Sequence, residues 1–197
     1  MKKLFLGCFL LVFVAVSSFA NGKYKVGDKG PGGGIVFYVS EEGFKVYDGK
    51  GGEEICHYLE MTEKTLGQSY WLPDYVEIEG TMPGLGYGKA NTYKILELEK
   101  KRLDLDDLSC AAYKVREYST PKTKKGDWWL PSKDELLLMY KGVKEQVRAG
   151  HDKKHNVWHW SSTEGDEMQA WTQGFKVGDR AKAHKCDHGW VRGVRAF

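Results

Sequence analysis

The stretch from Asp127 to Tyr140, "DWWLPSKDELLLMY", constrains the fold more than any other part of the chain. Ser132 and Glu135 have the S-x-x-E spacing of a capping box: the serine side chain accepts from the amide at Glu135, and the glutamate reaches back to the amide of Ser132. A helix therefore starts just after Ser132. Leu136, Met139 and Tyr140 recur at helical spacing and face inward, and Gly142 is placed to end the helix in a left-handed conformation. Trp128 and Trp129 need a core to cover them, because an exposed indole pair would promote association.

Strand-like segments flank this helical middle. Ile35 to Val39 and Phe44 to Gly49 are β-rich runs joined by "SEEG", which reads as a hairpin. The glycines from Gly30 to Gly34 precede a strand and lack a Gly-Lys-Ser/Thr ending, so they are not a phosphate loop. Residues 51–88 read as loop with short strands around "CHYLEM" and "YWLPDYV". Two amphipathic helices follow. One spans Asn91 to Arg102, with Ile95 and Leu98 inward; the other carries Leu108, Ala111, Ala112, Val115 and Tyr118 and is capped near Asp104 or Asp106. Lys144 to Asn156 is polar and reads as loop. "VWHWSS", "MQAWTQGF", "RAKAHK" and "WVRGVRAF" then return to strand, separated by turn-like "TEGDE", "KVGD" and "CDHG". Trp160, Trp171, Phe175, Val191, Val194 and Phe197 are the expected core positions of this part. The class is α+β, with β-rich segments at both ends and helices between them.

Residues 1–20, "MKKLFLGCFLLVFVAVSSFA", join two lysines to an apolar run that ends in small residues at Ser18 and Ala20. This is the pattern of a secretory signal peptide, too short in its apolar core to span a membrane. Lipidation at Cys8 is the less favoured reading, because Leu4, Phe5 and Leu6 are the only large apolar residues between Lys3 and Cys8. The expectation is an exported protein, at the cell surface, in the periplasm or secreted. Its mature chain, 21–197, forms a single domain with no transmembrane segment. Removing Lys2 and Lys3 lowers the formal charge from +3 to +1, so nothing global points to nucleic acid. From Lys176 onward, however, six Lys or Arg face two Asp, a local basic excess that favours an anionic partner. The mature chain keeps Cys56, Cys110 and Cys186, so at least one thiol has no intramolecular partner. If a bridge exists, Cys56 and Cys110 are the pair, since Cys186 lies in an exposed-looking tail; buried free thiols are the alternative.

"GDKGPGGGIVFYV", "YLE", "GYGKANT", "DWWLPSKDELLLMY", "HWSSTE", "AWTQGF" and the terminal "VRGVRAF" follow one another in an order that resembles the Legionella collagen-like protein C-terminal domain family. The same segments resemble the variable proteins of diversity-generating retroelements in treponemes. Both resemblances imply a C-type-lectin-like fold of the formylglycine-generating-enzyme type. In it the N- and C-terminal strands pair, the helices pack outside, and the C-terminal strands and loops present a binding surface. Retroelement diversification would act on adenines, typically in Asn codons. Gly165, Asp166, His184, Cys186, Asp187 and His188 are reachable from such codons, whereas Glu167, Met168, Gln169, Lys182 and Lys185 are not. The fold itself carries both binders and enzymes.

The residues between the expected core positions are the candidate ligand contacts: Gly165, Asp166, Glu167, Met168, Thr172, Gln173, Arg180, Lys182, His184, Lys185, Cys186, Asp187 and His188. His184, Cys186 and His188 alternate, and on a regular strand alternate side chains project to one face about 6–7 Å apart, a spacing that zinc permits. Against a zinc site stand the turn-like "CDHG", which interrupts the strand, and the missing paired-motif context, so display to solvent is favoured. Glu164, Asp166 and Glu167 lack the alternating oxygen ligands of a calcium loop, and the lectin calcium motifs are absent. Formylglycine-generating enzymes use a reactive cysteine pair in their late segments, where this chain has only Cys186. No nucleophile elbow, HExxH or other hydrolase motif appears. The expectation is a non-enzymatic, adhesin- or receptor-like protein without cofactor or metal, binding a protein or an anionic glycan. The alternative is an exported metal-binding protein or cysteine-dependent oxidoreductase.

Overall fold

A computed structural model describes residues 23–102, 110–149, 151 and 154–197. The leader, Cys8, Leu108 and the cap expected at Asp104 or Asp106 lie outside these residues. Along the chain run β1 (Ile35–Tyr47), β2 (Glu53–Met61), β3 (Gln68–Ser69), α1 (Gly88–Arg102), α2 (Ala111–Glu117) and α3 (Lys133–Arg148). They are followed by β4 (Trp158–Glu164), β5 (Gln169–Gly174), β6 (Arg180–His184), β7 (Gly189–Trp190) and β8 (Val194–Ala196). The described residues form an α+β fold with a three-stranded sheet ordered β1-β2-β8 and a five-stranded sheet ordered β3-β7-β4-β5-β6. No helix among them is long and apolar enough to cross a membrane.

The capping box forms as the sequence indicates. The Glu135 amide donates to Ser132 Oγ at 3.2 Å and the Ser132 amide to Glu135 Oε2 at 2.9 Å. Burial pushes the Glu135 carboxyl up to about 7, against the pull of the Ser132, Gly86 and Gly88 amides. Leu136 and Met139 are buried and Tyr140 is half-buried. Gly142 does not end the helix: α3 runs to Arg148 with one non-helical residue, Val143, so the loop expected from Lys144 begins later. The glycine serves close approach instead, since a Cβ there would lie 2.4 Å from the Phe37 carbonyl oxygen of β1.

Trp128 and Trp129 are both buried, but in different clusters. Trp128 packs with Trp71, Leu72, Ile95, Leu130 and Trp160; Trp129 packs with Phe37, Leu59, Met61, Leu136 and Val194. Adjacent extended residues point to opposite sides, so the pair joins the two halves of the core. Reciprocal backbone hydrogen bonds of 3.0 and 2.9 Å between Trp129 and Val194 hold that segment to β8.

Four local expectations need correction. "SEEG" is a bulge and not a hairpin turn, because both flanking runs pair with β2: Val39 lies opposite Tyr58 and Phe44 opposite Cys56. The chain reverses at 48–52, where Asp48 Oδ1 accepts from the Lys50 and Gly52 amides at 2.7 and 2.9 Å. "YWLPDYV" is not a strand; only Gln68–Ser69 before it pairs, with β7. α2 begins after Cys110, which stands at its N-cap. Trp171 and Phe197 are half-buried, while Trp160, Phe175, Val191 and Val194 are core.

The last strand pairs with β2 and not with the first strand. The outer edge of β1 is already taken by the preceding segment, through Gly27 N–H to Val36 O at 2.8 Å and Val36 N–H to Asp28 O at 2.9 Å. The ends still meet, with the Tyr24 and Phe197 rings edge to face at 5.4 Å. The glycine-rich segment binds a carboxylate of its own chain. Gly32 and Gly34 amides donate to the buried Glu60 at 2.9 and 3.0 Å, and Arg195 donates to it at 2.7 Å. Cys56 and Cys110 are buried free thiols in separate clusters, pushed by burial to about 11 and about 12, and are not bridged; Cys186 is also free.

Candidate functional site

The β5–β6 pair sets the geometry of the C-terminal face. Its register places Trp171 opposite Lys182, Gln169 opposite His184 and Gln173 opposite Arg180. Along β6, Arg180, Lys182 and His184 are exposed while Ala181 and Ala183 are half-buried, so the outward row follows the strand period. The β4–β5 turn is fixed by Asp166, whose Oδ1 accepts from the Met168 and Gln169 amides at 3.0 and 2.9 Å. Its Oδ2 meets Lys182 Nζ at 2.9 Å, and that ammonium, with the turn amides, holds the carboxyl below its ordinary range. Gly165 is half-buried in this turn; Glu167 and Met168 are exposed at its tip.

Three of the candidate contacts are buried framework. Thr172 Oγ1 donates to Ala181 O at 2.9 Å, and Gln173 Nε2 donates to Gly174 O and Asp179 O at 3.0 and 3.1 Å. Lys185, fully buried, donates to Val76 O at 2.6 Å and pairs with Glu164, whose carboxylate also accepts the Ile78 amide. Strong local polarity hid them in the sequence: polar residues in strand and turn positions read as solvent-facing, and only the fold supplies their partners.

β6 stops at His184, and Lys185 to Asp187 turn, with the Asp187 amide donating to His184 O at 2.9 Å. His184, Cys186 and His188 therefore do not form one strand row. The His184 ring meets Tyr75 edge-on at 6.3 Å, Cys186 Sγ donates to Pro73 O at 3.4 Å, and the His188 ring packs on Tyr70 at 4.2 Å. Among the described residues no three His, Cys, Asp or Glu side chains gather as metal ligands. A hydrogen bond with Cys186, and then the charge of its thiolate form, raise the Tyr75 phenol above its ordinary value.

Residues 70–76 thus bring Tyr70 and Tyr75 to the same edge, and the sequence did not reveal them. Trp71 and Leu72 anchor this segment in the core, and both their amides donate to Lys185 O. Tyr70 and Tyr75 point outward beside His188 and His184. A cleft of about 420 Å³ adjoins this edge, lined by Tyr70, Tyr113, His188 and Gln68 among others. At the opposite end, half-buried Trp171 carries the Lys133 ammonium 3.5 Å from its ring centre. The tyrosines on either side of "WLP" were the available signal: a buried pair flanked by ring residues at alternate exposure.

Much of the basic excess is buried or paired, although Lys176, Arg180 and Lys182 stay exposed and the charges of Arg180 and Lys182 both act on Lys133. Lys185 and Arg192 are buried, Arg195 pairs with Glu60, Lys182 with Asp166, and Arg180 lies 3.7 Å from Asp134. Lys176 Nζ donates to Lys154 O at 2.7 Å. No protein-family model matches the chain, and no curated protein is significantly similar to it.

Proposed function

We propose that the protein is a non-enzymatic binding protein of C-type-lectin-like fold, exported, and that its contact face comprises Met168, Tyr75, His184, Cys186, His188 and Tyr70. The observation that carries this reading is the separation of roles on adjacent residues. Lys185, Thr172 and Gln173 are buried and hydrogen-bonded within the frame, while Met168 and Tyr75, each 46% exposed, stand beside outward His184. Large, partly apolar side chains on a rigid frame are the composition of protein-contact surfaces. A protein partner fits better than an anionic glycan, because the nearby cations already have partners within the chain. A histidine-cysteine metal centre fits less well, because the two histidines turn to different tyrosines.

The test is panning of a display library of extracellular protein fragments against immobilised residues 21–197, with a Met168→Asp, His184→Asp double variant in parallel. The expected result is a set of clones retained by the wild type and lost on the variant at equal melting temperature. Absence of such clones, or clones that ignore the double substitution, would overturn the reading.

A further inference from the structure

A cleft of about 430 Å³ lies between α1, the turn at 48–52 and residues 126–129. It sits at the small end of the roughly 300–1,000 Å³ range of small-molecule sites. Aromatic side chains of Tyr93, Trp128 and Trp129 line it, together with the cations Lys50, Lys89, Lys100 and Arg116. Two of these cations are committed: Lys89 to Glu54 at 3.2 Å and Lys100 to Glu97 at 3.0 Å. Asp48, the other acid of the lining, is held by the amides of its own turn, which keep its carboxyl below the ordinary range.

Lys50 and Arg116 remain. Lys50 Nζ stands 5.0 Å over the Tyr93 ring, and its charge acts on Asp48 and Glu97, but among the described residues neither Lys50 nor Arg116 forms a salt bridge with a carboxylate. Concave walls focus the field of such charges, and a guanidinium offers paired donors to a phosphate or carboxylate. Half-buried Tyr93 supplies the accessible ring for a flat body, while Trp128 and Trp129, 1% and 3% exposed, add little area of their own.

We propose that this cleft binds a small organic anion built on a flat ring, of the aryl phosphate or aryl carboxylate class. The proposal does not depend on the C-terminal face. It is tested by ¹H–¹⁵N NMR titration of residues 21–197 with phenyl phosphate, beside inorganic phosphate and benzyl alcohol as half-probes. Saturable shifts at Tyr93, Gly126 and the Trp128 and Trp129 indole N–H groups are expected, with phenyl phosphate binding more tightly than either half-probe. Arg116→Met and exposed Lys50→Met should each weaken binding, about tenfold for the arginine, and Met168→Asp should leave it unchanged. Scattered shifts, equal affinity for phenyl phosphate and a half-probe, or binding indifferent to both cation variants would overturn it.

Discussion

His159 in β4 is fully buried, with the Phe175 ring at 4.9 Å and the His151 ring at 6.0 Å. Burial first, then the charges of Arg192 and His151, hold it well below its ordinary value of 6.5. The unfolded chain takes up a proton there and the folded chain does not, so this stabilisation is complete above 6.5 and falls as pH drops below it. The slope is up to ~1.4 kcal/mol per pH unit. Glu135 acts in the opposite sense: with its folded value raised from 4.5 to about 7, its contribution is complete below 4.5 and lost as pH rises to 7. His159→Phe should therefore gain on the wild type as pH falls from 7 to 5, read as a melting-temperature difference that moves in the variant's favour; a constant difference contradicts the account. Lys185→Met leaves Glu164 buried without its cation and is expected to cost about 3–5 kcal/mol by urea unfolding. Lys185→Met with Glu164→Gln should recover part of that loss, and a double variant as unstable as the single one would contradict the pairing.

Among the elements, those specified by neighbouring residues were legible in the sequence and those specified by distant partners were not. The α3 start needs only Ser132 and Glu135 to satisfy each other, so its spacing is visible in the chain. "SEEG" carries the composition of a hairpin turn, yet the flanking runs share a single partner strand, and that choice is made by β2. Gly142 looks like a helix end, and its use is the contact with β1. Gly43 in the bulge has φ +80, and a Cβ there would lie 2.8 Å from the Ile55 side chain. Gly43→Ala should destabilise by about 1–3 kcal/mol. Glu41→Ala, on the exposed part of the same bulge, should change stability by less than about 0.5 kcal/mol. Equal melting temperatures for the two variants would argue against the bulge.

Across the whole molecule, the α+β class and the C-terminal placement of the exposed residues were legible. The division of those residues into frame and face was not. Thr172, Gln173 and Lys185 are polar in the chain and internal in the fold, and Tyr70 and Tyr75 join the face from more than a hundred residues away. The same folding pairs off the late basic residues, so residues 21–197 should pass through a heparin column at low salt, where exposed charges are least screened. Retention there would restore the anionic-glycan reading. The most direct test of the division is a saturation-mutagenesis profile of residues 155–197, read twice, for folded display and for binding to a partner recovered by panning. Substitutions at Met168, His184 and His188 should keep display and lose binding, whereas those at Thr172, Gln173 and Lys185 should lose display itself. Failed display at the outward positions, or unchanged binding after their replacement, would contradict the claim that this face is the protein's contact surface.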